Sequence, residues 1–267
     1  MKKTILITWA SSWFGLVLAT KLHQNGYNVI GTSRDPNKVK VPFKMLALDI
    51  SDDKSIQSFS KELLKDISQL DIFINNAGYN LGWLAEETTI EQGKALFETN
   101  FWWAVKLTNE LLPQLRKQRF GKIITVWSIM WLLSFPYASY YSSSKHALEW
   151  YFKALRFELN EFNIKVAMIE PMAFKTNIFA AWVVADKKIS DYDSYRKKIQ
   201  AFEKDLFHNA PESTPVIQTF IKLIEEKNPT FINTVWKGAK LFLTLQLFAY
   251  KVFENMLIKN INKFKNN

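Results

Sequence analysis

The 267 residues contain no cysteine. That excludes disulfides, thiolate nucleophiles and cysteine-ligated metals. Histidine occurs three times, as His23, His146 and His208, with no pair spaced four apart. No metal site is therefore expected. Glycine is scarce at eight residues, about 3% against a usual share of about 7%, whereas tryptophan is plentiful at ten. No run of 18 uncharged apolar residues occurs, so no membrane-spanning helix is expected. The apolar run after Lys2 and Lys3 is too short for a secretory leader, and the expected location is cytoplasmic. Acidic residues are the minority, 25 against 35 Lys and Arg, for a formal charge of +10. A basic balance can indicate nucleic-acid binding. No basic motif interleaved with aromatics supports it here, and no such partner is expected.

The chain is 48% hydrophobic and long enough for one large domain with a substantial core. Six short apolar runs read as strands: residues 3–8, 27–32, 44–49, 70–75, 122–126 and 164–169. Between them lie helical patterns, including 16–22, 53–68, 90–116 and the stretch bearing Tyr141. Strands alternating with helices predict a Rossmann-like α/β fold: a doubly wound, mostly parallel sheet with helices on both faces. The expected division is a dinucleotide-binding and catalytic domain over 1–231 and a helical C-terminal extension over 232–267.

Tyr141 and Lys145 are four residues apart, which places them on one face of a helix. An ammonium beside a phenol favours the phenolate and pulls its pKa down from about 10. Such a tyrosine can exchange a proton with a carbonyl or alcohol oxygen. Ser128 follows the run 122–126, at the strand end where open α/β sheets place their sites. At the N-terminus, strand, turn, helix and strand form a βαβ unit, whose first turn can hold a pyrophosphate against a helix N-terminus. The second strand ends in Thr32-Ser33-Arg34 with no acidic residue. An arginine there can pair with a 2′-phosphate, which favours NADP(H) over NAD(H).

Taken together, Thr8 to Gly15, Asp49, Asn75-Asn76-Ala77-Gly78, Asn100, Ser128, Tyr141-x-x-x-Lys145 and Pro171 to Thr176 resemble the short-chain dehydrogenase/reductase family in order and spacing. The resemblance covers roughly residues 3–180. It implies that Tyr141 is the general acid/base, Lys145 binds the nicotinamide ribose, Ser128 holds the substrate oxygen and Asn100 supports a water in a proton relay. It implies a cofactor site formed by Thr8, Ser11, Ser12, Phe14, Gly15, Arg34, Asp49, Ile50, Asn75, Asn76, Ala77, Gly78, Tyr141, Lys145, Pro171 and Thr176. Relatives associate through the helices after the fourth and fifth strands, so a homodimer or homotetramer is implied.

The departures concern glycine. The family's first loop resembles T-G-x-x-x-G-x-G, and here Trp9 and Trp13 occupy two of the three glycine positions. Trp103, Trp131 and Trp150 also stand where relatives often carry glycine, and Met172 follows Pro171 where glycine is usual. Loss of cofactor binding, engineering, or a sequence or translation fault would each produce this pattern. Trp83, Trp182 and Trp236 read instead as core or pocket aromatics.

Residues 177–210 read as a lid over the substrate. The tail from Trp236 alternates leucines and phenylalanines with lysines, a pattern fit for a membrane surface, a subunit interface or the substrate mouth. Three readings follow: an NADP(H)-dependent oxidoreductase interconverting a secondary alcohol and a carbonyl, on a lipophilic small molecule, a cofactor-deficient binding or scaffold protein on the same fold, or a peripheral membrane protein whose tail is the functional part.

Overall fold

The structure is a computed structural model, and it describes residues 2–79, 82–128, 135–171, 174, 185–208, 210–235 and 238–264. Seven strands form one parallel sheet in the order β3-β2-β1-β4-β5-β6-β7. They are β1 (Thr4–Ile7), β2 (Asn28–Ser33), β3 (Lys44–Ala47), β4 (Ile72–Asn75), β5 (Gly121–Val126), β6 (Ile164–Pro171) and β7 (Ile232–Val235). Every residue of β1 and β4 is buried. That is why these central strands read as continuous apolar runs and not as alternating ones. The chain order reverses between β1 and β4, which opens a crevice at the strands' C-terminal ends.

Helices cover both faces. On one face α2 (Asp53–Asp66) and α4 (Trp103–Gln118) pack together, joined in the same apolar cluster by α5 (Ser139–Asn160). On the other, α1 (Trp13–Gln24) packs against α7 (Thr214–Glu225) around Leu18, Leu22, Phe220 and Leu223. Asp52 caps α2 by accepting a hydrogen bond from the Lys54 N–H. A reciprocal Thr89–Gln92 capping box starts α3 (Ile90–Phe97).

Two expectations are corrected. The sheet has a seventh strand, β7, paired in parallel with β6 from Met168↔Ile232 to Pro171↔Val235. Its four residues, Ile-Asn-Thr-Val, carry too little apolar periodicity to stand out from the tail, and pairing with the sheet edge is what defines them. The single helix expected over 90–116 is three pieces: α3, a π-helical turn at Glu98–Trp102, and α4. Beyond β7, α8 (Ala239–Phe248) and α9 (Tyr250–Ile261) pack on each other. Between β6 and α7, helix α6 (Asp193–His208) lies within the expected lid region and contacts α9. Residues 177–184 of that region lie outside the described residues.

Candidate active site

The crevice beyond the C-terminal ends of β1, β4 and β5 gathers most of the polar residues singled out in the sequence. Thr8 follows β1 and is fully buried. Its hydroxyl donates to the Ile74 carbonyl at 3.3 Å and accepts from the backbone N–H groups of Asn76 (2.9 Å) and Ala77 (3.3 Å). The Asn76 amide donates to the Thr8 carbonyl at 3.0 Å. One threonine thus ties the first loop to the loop after β4. Gly15 lies directly under this knot: a Cβ there would sit 2.4 Å from the Trp9 carbonyl oxygen and 2.6 Å from the Asn76 amide nitrogen. Only glycine fits.

The loop between β1 and α1 has a glycine backbone occupied by tryptophan. Trp9 and Trp13 take φ of 53° and 52°, in the left-handed region. Their indoles meet edge to face at 5.4 Å. The N-cap Ser12 makes no side-chain capping bond, and the first N–H groups of a helix have no partner within it. The resulting N-terminus is suited to an anion. Ser11 and Phe14 are half-buried beside it, and Phe14 packs edge to face on Phe174 at 6.4 Å.

At the end of β2, Ser33 is buried and its hydroxyl finds no hydrogen-bond partner among the described residues. Arg34 beside it is exposed and faces Asp49. The Ser51 hydroxyl and N–H bond the Asp49 carboxylate and hold it below the usual range, with Arg34 adding to the effect. Ile50 is buried next to it. Ser33 was missed in the sequence. The signal lay in Thr32-Ser33-Arg34, where a hydroxyl directly precedes the charge.

The reactive end is assembled from three elements. Tyr141, on the first turn of α5, is buried and its phenol is hydrogen-bonded to the Ser128 hydroxyl. The Lys145 Nζ lies 5.7 Å from the centroid of the same ring. Gly78 brings the β4 loop against this pair. A methyl group on it would stand 3.2 Å from Lys145 Nζ and 3.4 Å from Asn100 Oδ1. Asn100 sits in the π-helical turn, a distortion that often marks functional sites. Its amide donates to the Tyr79 carbonyl (2.9 Å) and the Ser144 hydroxyl (3.3 Å), and its oxygen accepts from the Tyr79 N–H (3.0 Å). The extra residue of the π turn thus aims an asparagine between the β4 loop and α5.

One electrostatic expectation is reversed. Burial pushes the Tyr141 phenol up to about 12, against a smaller downward effect of Ser128. Burial also pushes Lys145 down to about 8. At 5.7 Å from the ring and buried itself, the lysine does not offset the phenol's desolvation. The phenol therefore keeps its proton at neutral pH. The Asn75 side chain also departs from its expected role. Its amide turns into the core toward Thr108 and Thr125, both at 3.4 Å. Pro171 ends β6 at the rim of the crevice, and Thr176, Trp131, Met172, Trp182 and Trp236 lie outside the described residues.

An apolar cluster flanks the reactive end. Trp83, Leu84, Tyr137, Ala185, Ile199 and Ile261 pack together, with the Trp83 and Tyr137 rings 5.2 Å apart. Arg196 of α6 holds this side closed through a buried ion pair with Glu87, and its guanidinium lies 5.7 Å over the Trp83 ring. Burial pushes the nearby Glu203 up to about 8.

The seven-stranded parallel sheet, with Ser128, Tyr141, Lys145 and Asn100 gathered beside its crevice, has the architecture of a Rossmann-like oxidoreductase. The chain belongs to the short chain dehydrogenase family, whose model matches residues 3–186. It is 34% identical to YusZ, an uncharacterised oxidoreductase of Bacillus subtilis, over 97% of this chain and 99% of the relative. It is also 34% identical to a 3-ketodihydrosphingosine reductase of Bacteroides thetaiotaomicron, over 86% of this chain and 87% of the relative. A crystal structure of a short-chain dehydrogenase from Streptomyces avermitilis superposes with a TM-score of 0.83 at 27% identity, covering 100% and 99% of the two chains.

Proposed function

We propose that this chain is an NADP(H)-dependent oxidoreductase that interconverts a secondary alcohol and a carbonyl on a lipophilic small molecule. The observation that carries the reading is the Tyr141 phenol, hydrogen-bonded to Ser128 and flanked by Lys145, with Gly78 and Asn100 closing the same space. The fit to a dinucleotide rests on three features. The α1 N-terminus has no side-chain cap from Ser12, the Ser33 hydroxyl beside Arg34 has no partner among the described residues, and the Gly78 backbone leaves room next to Lys145.

When bound, NADPH supplies the hydride. Ser128 holds the carbonyl oxygen and Tyr141 gives it a proton, so the alkoxide is neutralised as it forms. Lys145 orients the nicotinamide ribose and supports the phenolate left behind. Asn100 fixes the Tyr79 backbone and the Ser144 hydroxyl, which positions the α5 turn bearing Tyr141. Ser33 and Arg34 would take the 2′-phosphate, and the absence of an acid there favours NADP(H) over NAD(H). The Trp83–Tyr137 cluster beside the reactive end supports an apolar substrate, as does the similarity to a 3-ketodihydrosphingosine reductase.

Tyr141→Phe tests the reading. Turnover of NADPH with lipophilic ketones should fall by about 10²–10⁴-fold while NADPH binding by calorimetry is kept. Undiminished turnover would overturn the role of Tyr141. A second reading, a scaffold protein that has lost its cofactor, is favoured by Trp9 and Trp13. It gains support if the chain binds neither NADPH nor NADH and gains neither when both residues are replaced by glycine.

A further inference from the structure

We propose that the outward faces of α8 and α9 form a docking surface for an anionic phospholipid bilayer. In α8, residues 241, 244, 247 and 248 fall on one side of the helix. Leu241, Leu247 and Phe248 are exposed there at 62%, 65% and 84%. The opposite side carries Phe242 and Leu245, which pack against Phe253 of α9. The helix is thus apolar on both sides, and its buried side already has its partner within the chain. Tyr250 and Val252 continue the exposed apolar strip past the break at Ala249, and Ile258 adds to it in α9. An exposed apolar patch of this kind is uncommon on a free soluble surface.

Charge decides the occupant. Residues 232–267 contain six lysines and one glutamate, a net +5 that is half the charge of the whole chain. Lys251 and Lys259 lie on the exposed side of α9 with Glu254 between them, and Lys263 follows, so the described charge of this face is positive. A second copy of this face would oppose like charge with like charge. An anionic bilayer attracts the lysines while the leucines and phenylalanine enter its interface. Lysine stems can lie along the apolar strip with their ammonium groups at the headgroups. Among the described residues no helix is long and apolar enough to cross a membrane. The geometry is therefore that of a helix pair lying on the surface.

The same two helices reach the candidate site. On its inner side α9 places Ile261 in the Trp83–Tyr137 cluster, with Leu257 packed against it. Docking would bring the apolar flank of the crevice to the membrane, where a lipophilic substrate resides. Only this last step rests on the proposed activity; the lipid contact does not.

The experiment is co-sedimentation of the purified full chain with phosphatidylserine-rich vesicles and with pure phosphatidylcholine vesicles. The chain should partition onto the anionic vesicles at least roughly tenfold more strongly, and high salt should reverse most of the difference. Leu247→Glu with Phe248→Glu should lose roughly tenfold of that partition. Both residues are on the outer face, so circular dichroism and thermal melting should be unchanged. Equal partition onto both vesicle types, or unchanged partition of the double variant, overturns the proposal. So does a wild-type dimer that the double variant converts to a monomer without altering vesicle binding, because that assigns the face to a second copy.

Discussion

A tryptophan at positive φ carries a cost that a glycine does not. Cβ in the left-handed region crowds the neighbouring carbonyl, and a residue held there costs on the order of 1–3 kcal/mol. Trp9 and Trp13 both sit in that region, at 53° and 52°. The turn keeps a glycine geometry because its other constraints remain: Thr8 fixes Asn76 and Ala77, and Gly15 has no space for a side chain. Two indoles meeting edge to face at 5.4 Å then stand beside the helix N-terminus best placed for a pyrophosphate. Trp103 carries a related burden, being buried with its indole N–H unpartnered among the described residues. Trp9→Gly with Trp13→Gly should stabilise the chain by roughly 1–3 kcal/mol per site and tighten NADPH binding by at least roughly tenfold. Thermal melting and calorimetry read the two effects separately. A double variant that melts no higher and binds no tighter would mean the loop has adapted around its indoles.

At the scale of elements, α5 does two jobs. Its first two turns present Tyr141 and Lys145, and its next turn buries Glu149. The Glu149 carboxyl is pushed up to about 7 by burial, partly offset by Lys153 at 3.8 Å, and one of its oxygens has no partner. The folded pKa lies above the unfolded one, so the folded chain binds the extra proton. The stability associated with that proton is fully present below the unfolded pKa of about 4.5 and is lost as pH rises through about 7. Glu149→Gln keeps the neutral shape. It should melt like the parent near pH ~4 and be more stable by about 1–3 kcal/mol near pH ~8. A parent and variant whose melting temperatures differ equally at both pH values would show that Glu149 does not titrate in this window.

The same elements show what was readable in advance. β1, β4 and β5 were legible because a strand buried on both faces must be an apolar run. The Tyr141 and Lys145 pairing was legible because helical period fixes it. The π turn at Glu98–Trp102 was not, since a helix with one extra residue keeps nearly the same periodicity. β7 was not, because four residues with two polar ones carry no pattern until β6 pairs with them. The raised phenol of Tyr141 was not legible either. Spacing gives proximity to a cation, but only packing gives the desolvation that outweighs it.

For the molecule as a whole, the face built by α4 and α5 exposes aromatic surface. Trp102 is 47% exposed, Trp150 56% and Phe157 73%, and the last two lie seven residues apart on one side of α5. Trp150 donates to the His146 ring at 2.9 Å, and Lys153 lies 4.6 Å from its centroid, so the ring is held in place by its neighbours. The family resemblance implies association through the helices that follow the fourth and fifth strands, which here are α4 and α5. This face differs from that of α8 and α9 because its apolar residues are interleaved with both signs, Lys153 and Arg156 against Glu158 and Glu161. A two-fold copy can therefore match charge to charge while burying the aromatics. A homodimer or homotetramer through α4 and α5 is the expected solution state. Trp150→Glu with Phe157→Glu should reduce the measured mass to that of one chain, 31.2 kDa. Light scattering coupled to size exclusion decides it. A parent that is already monomeric would rule this interface out, and a variant that stays assembled would move it to another surface. Because α5 also carries Tyr141 and Lys145, a variant that dissociates should lose turnover more than it loses NADPH binding.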